Sequence, residues 1–156
     1  MIQTAFLADH PEVIPTLAEW FRAQWPDYYA EQSLTDIEDD FREDAQYQGI
    51  PLRLVAFVDG ELAGTVVLRD WVTDTVPNAH PGLGGLFVQE KHRTRGVGSE
   101  LVQACMNVAR DLSYKEVYAT TVVAGGILMR LGWEVVKEVA HDDEVLTLYR
   151  CDLETT

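Results

Sequence analysis

Basic residues are scarce in this chain. Twelve Lys and Arg stand against 26 Asp and Glu, a net charge of −14 over 156 residues. Nucleic-acid binding needs a basic surface to neutralise phosphates, so nucleic acid is excluded as the main partner. Long apolar runs are missing too. No stretch approaches the ~20 residues that cross a bilayer, and Met1–Pro11 lacks the basic start and apolar centre of a secretory signal. Neither a membrane partner nor export is therefore expected. Cysteine is limited to Cys105 and Cys151, which lack metal-ligand spacing, so no metal site is expected. A reducing, cytoplasmic setting is the corresponding expectation. What remains, 47% apolar and 24% charged, is the composition of a globular protein, read as one domain over residues 1–156.

The charge is uneven. Through Ile50 there are eleven acids against Arg22 and Arg42, whereas Lys91–Arg95 is locally basic. That basic stretch lies inside the most organised part of the chain. A short apolar run, Leu83–Val88, is punctuated by Gly84 and Gly85 and leads into the polar loop Gln89–Arg95. Gly96-Val97-Gly98 then opens a segment in which Val97, Leu101, Cys105, Val108 and Leu112 recur at helical spacing. Cys105 falls on that apolar face, where a buried thiol is expected. Strand, glycine loop and helix start in direct succession build an anion site. The first N–H groups of a helix have no internal partners and carry the positive end of the macrodipole. Arg93 and Arg95 add charge-assisted donors, and Lys91 a point charge. The sequence Arg93-Thr94-Arg95-Gly96-Val97-Gly98 is neither GxxxxGK[ST] nor GxGxxG.

The remaining elements follow in order. Ile2–Leu7 reads as a strand, and Asp9 as the cap of a helix that starts near Pro11 and stops before Pro26. Ser33 or Thr35 caps a second, short helix carrying Leu34, Ile37 and Phe41. Leu52–Val58 and Leu62–Arg69 flank Asp59-Gly60, a hairpin signal. Asp70–Gly82 is a polar connection. After the long helix come a strand at Glu116–Val122, a short helix at Ala124–Leu131 closed by Gly132, and two strands, Trp133–Val139 and Val145–Cys151. The order is β-α-α-β-β-β-α-β-α-β-β, an α/β (α+β) chain with a mixed, mostly antiparallel sheet and helices on both faces.

Four landmarks in this order resemble the GNAT superfamily of N-acetyltransferases over nearly the whole chain. They are the amino-terminal helix pair, the Asp59-Gly60 hairpin, the GLFV strand leading to R-x-x-G-x-G and a helix, and Leu131-Gly132-Trp133 before the last hairpin. The resemblance implies acetyl transfer from acetyl-CoA to an amine. It assigns Leu86, Phe87 and Val88 to backbone pairing with the pantetheine arm. It assigns Arg93, Thr94, Arg95, Gly96, Val97 and Gly98 to the pyrophosphate, with Ser99 as a hydroxyl donor. A backbone N–H near Phe87 or Val88 would polarise the thioester carbonyl.

Two family features are absent. The position four residues before Gly132, where many members place a tyrosine acid, is Leu128, with Met129 beside it, and no glutamate precedes the motif strand. Tyr118 and Tyr149 are then the candidate acids, and His80 and Asp74 the candidate bases. The family usually seats its acceptor over the amino-terminal helix pair. Trp25, Tyr28, Tyr29, Glu31 and Asp36 would there frame a small cationic amine or a peptide amino terminus with aromatic faces and carboxylates. A homodimer through strands near the carboxyl terminus is a further expectation. The alternative reading is a non-catalytic CoA-binding or interaction module of the same fold.

Overall fold

The computed structural model describes residues 1–70, 78–121, 124–141 and 144–154. The element order is β1 (Ile2–Phe6), α1 (Ile14–Gln24), α2 (Leu34–Glu43), β2 (Leu52–Val58), β3 (Glu61–Arg69), β4 (Gly82–Val88), α3 (Val97–Asp111), β5 (Glu116–Thr121), α4 (Gly125–Arg130), β6 (Glu134–His141) and β7 (Glu144–Asp152). This is the order read from the sequence. The strands form one seven-stranded sheet, β1-β2-β3-β4-β5-β7-β6.

The periodicities explain the two layers. Alternate residues of β2 and β3, such as Leu54, Ala56, Val66 and Leu68, join Leu101, Val102, Cys105 and Met106 of α3 in one core. On the opposite face, Val55 and Phe87 pack against Leu17, Phe21, Ile37 and Phe41 of α1 and α2. Burial pushes the Cys105 thiol up to about 12, as expected for an inert core cysteine.

Turn and cap chemistry fix the joins. Asp59 and Gly60 have φ of 50° and 84°, the double left-handed conformation of a two-residue hairpin. Ser33, rather than Thr35, caps α2, accepting from the Asp36 N–H at 3.1 Å while Asp36 accepts from the Ser33 N–H. Asp9 does not cap α1. It sits in a 3₁₀ turn and accepts a 2.7 Å hydrogen bond from the Tyr47 hydroxyl. A second 3₁₀ turn, Pro11–Val13, delays the helix to Ile14.

Two irregularities shape the middle of the sheet. Thr65 pairs with Phe87 and Val67 with Gly84, so Val66 alone faces both Gly85 and Leu86. This one-residue bulge bends β4, and Gly85 absorbs it at φ 55°. On its other side β4 runs parallel to β5 and registers with it at one pair, Gly82 and Tyr118. The two strands part beyond that pair.

Beneath the bulge, Arg53 of β2 is buried. Its Nε donates to Asp44 Oδ2 at 3.0 Å and its Nη1 to Thr65 Oγ1 at 3.2 Å, and the guanidinium lies over the Phe41 and Phe21 rings. Burial disfavours charge on both partners, lowering the Arg53 pKa and raising the Asp44 carboxyl, and their attraction opposes this. Removing one partner leaves an uncompensated buried charge. Asp44→Ala is expected to cost about 3–5 kcal/mol in denaturant unfolding. Adding Arg53→Met should recover most of that loss.

Candidate functional site

The parting of β4 from β5 opens a cleft of about 740 Å³. Its walls are Leu83–Val88 of β4, Ala119–Thr121 of β5, Ala124, Ile127 and Leu128 at α4, and Gln24 and Trp25 at the end of α1. Arg93 completes its rim. Of the expected cofactor residues, Leu86, Phe87, Val88 and Arg93 therefore line one continuous space. Because β4 and β5 register at a single pair, the β4 edge facing β5 is available for backbone pairing with an extended ligand.

The loop after β4 is held by cross-strand contacts. Lys91 Nζ and His92 Nε2 both contact Glu61 Oε1, at 2.7 and 2.8 Å. Their hydrogen bonds hold the Glu61 carboxyl below the usual carboxylate range. Lys91 is thus engaged at the foot of the hairpin and is no free point charge for a phosphate. Arg93 Nε donates to the Val88 carbonyl at 2.9 Å, which ties the arginine back to the strand end while its remaining guanidinium donors stay exposed. Arg95 is exposed.

Thr94 and Gly96 take left-handed φ of 64° and 87°. The chain thereby turns sharply into α3, whose first intrahelical bond runs from the Glu100 N–H to the Gly96 carbonyl. No side chain caps that helix start. The N–H groups of Val97, Gly98 and Ser99 therefore belong to an uncapped helix N-terminus beside Arg93, an arrangement suited to a pyrophosphate. Gly98 is also needed for packing, since a methyl group there would meet Ile127 Cδ1 of α4 at 2.9 Å.

The chain matches the acetyltransferase (GNAT) family model over residues 14–131. It belongs to the GNAT acetyltransferase family. Solved structures agree on the fold. A GNAT-family acetyltransferase from Streptococcus pneumoniae is 14% identical with a TM-score of 0.71, the match covering 97% of this chain and 98% of that one. A putative acetyltransferase from Salmonella typhimurium, solved with its cofactor acetyl-CoA, is 16% identical at TM-score 0.72, with 97% and 94% coverage. An N-acetyltransferase from Staphylococcus aureus Mu50 is 14% identical at 0.73, with 98% of each chain covered. No curated protein matches the chain in sequence.

The candidate proton-transfer residues separate in space. His80 precedes β4 at the end where β4 and β5 are paired, with the Tyr118 N–H donating to the Pro81 carbonyl at 3.0 Å, and its exposed ring sits edge-on to Tyr114. It does not line the cleft. Tyr118 is at the same closed end, opposite Gly82, and its hydroxyl donates to Glu116 at 2.9 Å. Burial, then that bond, raises its pKa. Tyr149 of β7 is different. It is 9% exposed, and its hydroxyl presses against Gly125 at the start of α4, one turn before Leu128, without a hydrogen bond among the described residues. Asp74 lies outside the described residues.

Of the aromatic candidates, Trp25 alone lines the cleft, while Tyr28 and Tyr29 stand outside it. Trp25 packs on Phe21 and Phe87 and lines the opening. Tyr28 is exposed and edge-on to the half-buried Tyr29, whose pKa is raised by burial and then by Tyr28. The acids of this region mostly have other partners. Asp36 closes the α2 capping box, Glu38 and Asp39 pair with Arg42, and Asp44 pairs with Arg53. Glu31 is exposed and does not line the cleft. Two arginines, Arg53 and Arg69, approach Gly85 and Gly84 instead. Sequence pattern did not single them out, because their position depends on the register of β3 with β4.

An exposed ion-pair network contributes 0–1 kcal/mol. Glu61→Gln is accordingly expected to weaken acetyl-CoA by up to about fivefold in a calorimetric titration, by loosening the loop that presents Arg93.

Proposed function

We propose that this acetyltransferase moves the acetyl group of acetyl-CoA to a primary amine by direct attack. The observation that carries the reading is the cleft between β4 and β5, which runs along Leu86–Val88 towards the uncapped, glycine-led start of α3. Pantetheine would pair with Leu86, Phe87 and Val88, and the pyrophosphate would take the N–H groups of Val97, Gly98 and Ser99 with Arg93 and Arg95 beside it.

In the reaction the amine nitrogen attacks the thioester carbonyl carbon. A backbone N–H near Phe87 or Val88 stabilises the oxyanion, the C–S bond breaks, and the thiolate takes a proton. Tyr149 is the proposed donor of that proton, from a position that compensates for Leu128. Among the described residues, the cleft wall holds no carboxylate or imidazole, so the proton of the attacking amine passes to solvent. Positioning of the two reactants then supplies much of the acceleration. The amine of a small molecule or of a peptide terminus fits the opening at Trp25. A polycation has less support, since Asp36, Glu38, Asp39 and Asp44 are paired elsewhere. A second copy would pair through the edge strand β6, where Val135, Val136 and Val145 of the β6–β7 hairpin are exposed.

The second reading, a CoA-binding module without turnover, is favoured by Leu128 at the usual tyrosine position and by the missing glutamate before the motif strand. Both readings share the cofactor site. At about 100 times its Kd, acetyl-CoA should raise the melting temperature by about 5–10 °C. Gly96→Trp should abolish the rise, whereas Gly96→Ala, which shares the strain at φ 87°, should keep it. Absence of any shift in the unmodified protein at millimolar acetyl-CoA sinks both readings. Tyr149→Phe should lower kcat about 100-fold while the acetyl-CoA shift persists. A shift without acetylation of any amine in a broad panel would select the module.

A further inference from the structure

Arg69, the last residue of β3, pairs with Gly82, and its guanidinium folds over Gly84, where a methyl group would overlap it. Arg53 approaches the next residue, Gly85, from the same side of the sheet, its Nη2 at 3.4 Å from where a methyl group would stand. The two guanidinium groups share one nearby carboxylate, Asp44, which is committed to Arg53 at 3.0 Å. Arg69 forms no ion pair or hydrogen bond among the described residues. Its electrostatic neighbours are Tyr28, Asp44 and Tyr29. Among the described residues, this guanidinium thus stands without an ion pair over Gly84, a residue of the cleft wall, with Tyr28 and Tyr29 as electrostatic neighbours.

The coenzyme's phosphates do not account for this charge. Their proposed site lies beyond Val88, four residues and roughly 13 Å along β4 from Gly84. Arg69 therefore faces the acceptor end. A cationic acceptor would meet like charge there. A planar fork of donors matches a carboxylate in two-point contact. We infer that the acceptor is a small primary amine that also carries a carboxylate, held by Arg69 against Gly84 with Tyr28 and Tyr29 over it. This rests on the acetyl-transfer reading of the same cleft and names its substrate class.

The test pairs each acceptor with its uncharged twin: amino acids of α- and ω-amine type, the corresponding carboxamides, and diamines of matched length. Acetylation is followed by release of the CoA thiol. In parallel, binding of the N-acetylated carboxylates to the CoA-loaded protein is measured by calorimetry. The carboxylate member of a pair should exceed its amide in kcat/KM by roughly 10- to 100-fold, the worth of a charged hydrogen-bonded contact. Arg69→Gln should collapse that ratio to within about threefold, and Arg69→Lys should retain part of it. Equal turnover of acids and amides, preference for diamines, or a ratio unchanged in Arg69→Gln overturns the inference and leaves the transferase reading intact. Arg69-dependent binding of carboxylates with no acetylation of any acceptor upholds the anion site and overturns the transferase reading.

Discussion

A single register pair, Gly82 with Tyr118, joins the two halves of the sheet, and the rest of the site depends on it. Had β4 and β5 remained in register, their N–H and C=O groups would satisfy one another and leave no backbone for a ligand. The bulge opposite Val66 and the loop that turns at Thr94 and Gly96 bend the motif strand away from β5. The cores on the two faces hold the halves together where the ladder does not. α1 and α2 clamp β2–β4 on one face, and α3 spans β2, β3 and β5 on the other. An interrupted sheet is thus stable because its layers, rather than its hydrogen bonds, carry the continuity.

The hairpin between β2 and β3 has a second task. Glu61, just past its turn, reaches the loop after β4 and holds Lys91 and His92. His92 is almost fully buried and its Nδ1 has no partner, so the ring is fixed by one contact and by packing. The strand pairing that builds the core therefore also sets the height at which Arg93 and the α3 N-terminus stand. The Lys91–Glu61 ion pair is weak alone at an exposed site. Together with the His92 contact, it positions the loop that leads into the α3 N-terminus, whose N–H groups are the proposed anion donors.

Local pattern carried the element order well. Helical spacing in α3, the Asp59-Gly60 turn, the Ser33 cap and the glycine loop are contacts between residues a few positions apart, and such contacts leave periodic traces. Side-chain partnerships across strands leave none. Lys91 with Glu61, Asp9 with Tyr47 and Arg53 with Thr65 join residues 30, 38 and 12 positions apart. The one-residue bulge decides which of Arg53 and Arg69 sits over which glycine, and no local signal announces it. His80 illustrates the converse. It is a histidine in the expected loop, yet it precedes the closed end of the strand pair, because direction along β4 matters more than proximity in sequence.

Net charge is a similarly incomplete guide to the acceptor. The eleven acids of the first 50 residues suggested a cation, but charge acts through its nearest partners once screening reduces the rest to about 8 Å of reach at physiological salt. Within that reach, Arg42 pairs with both Glu38 and Asp39, and Arg53 pairs with Asp44. The carboxylates consumed in holding α2 together and fixing it to the sheet are unavailable at the cleft mouth. Arg69, unpaired among the described residues, is what the inferred acceptor would meet. The acidic surface would work against approach of the anionic coenzyme at long range, so its retention would depend on a few short contacts, where an ion pair is screened least. On the proposed reading, a chain with a charge of −14 would concentrate its useful positive charge at the two ends of β4, Arg93 for the coenzyme and Arg69 for the acceptor.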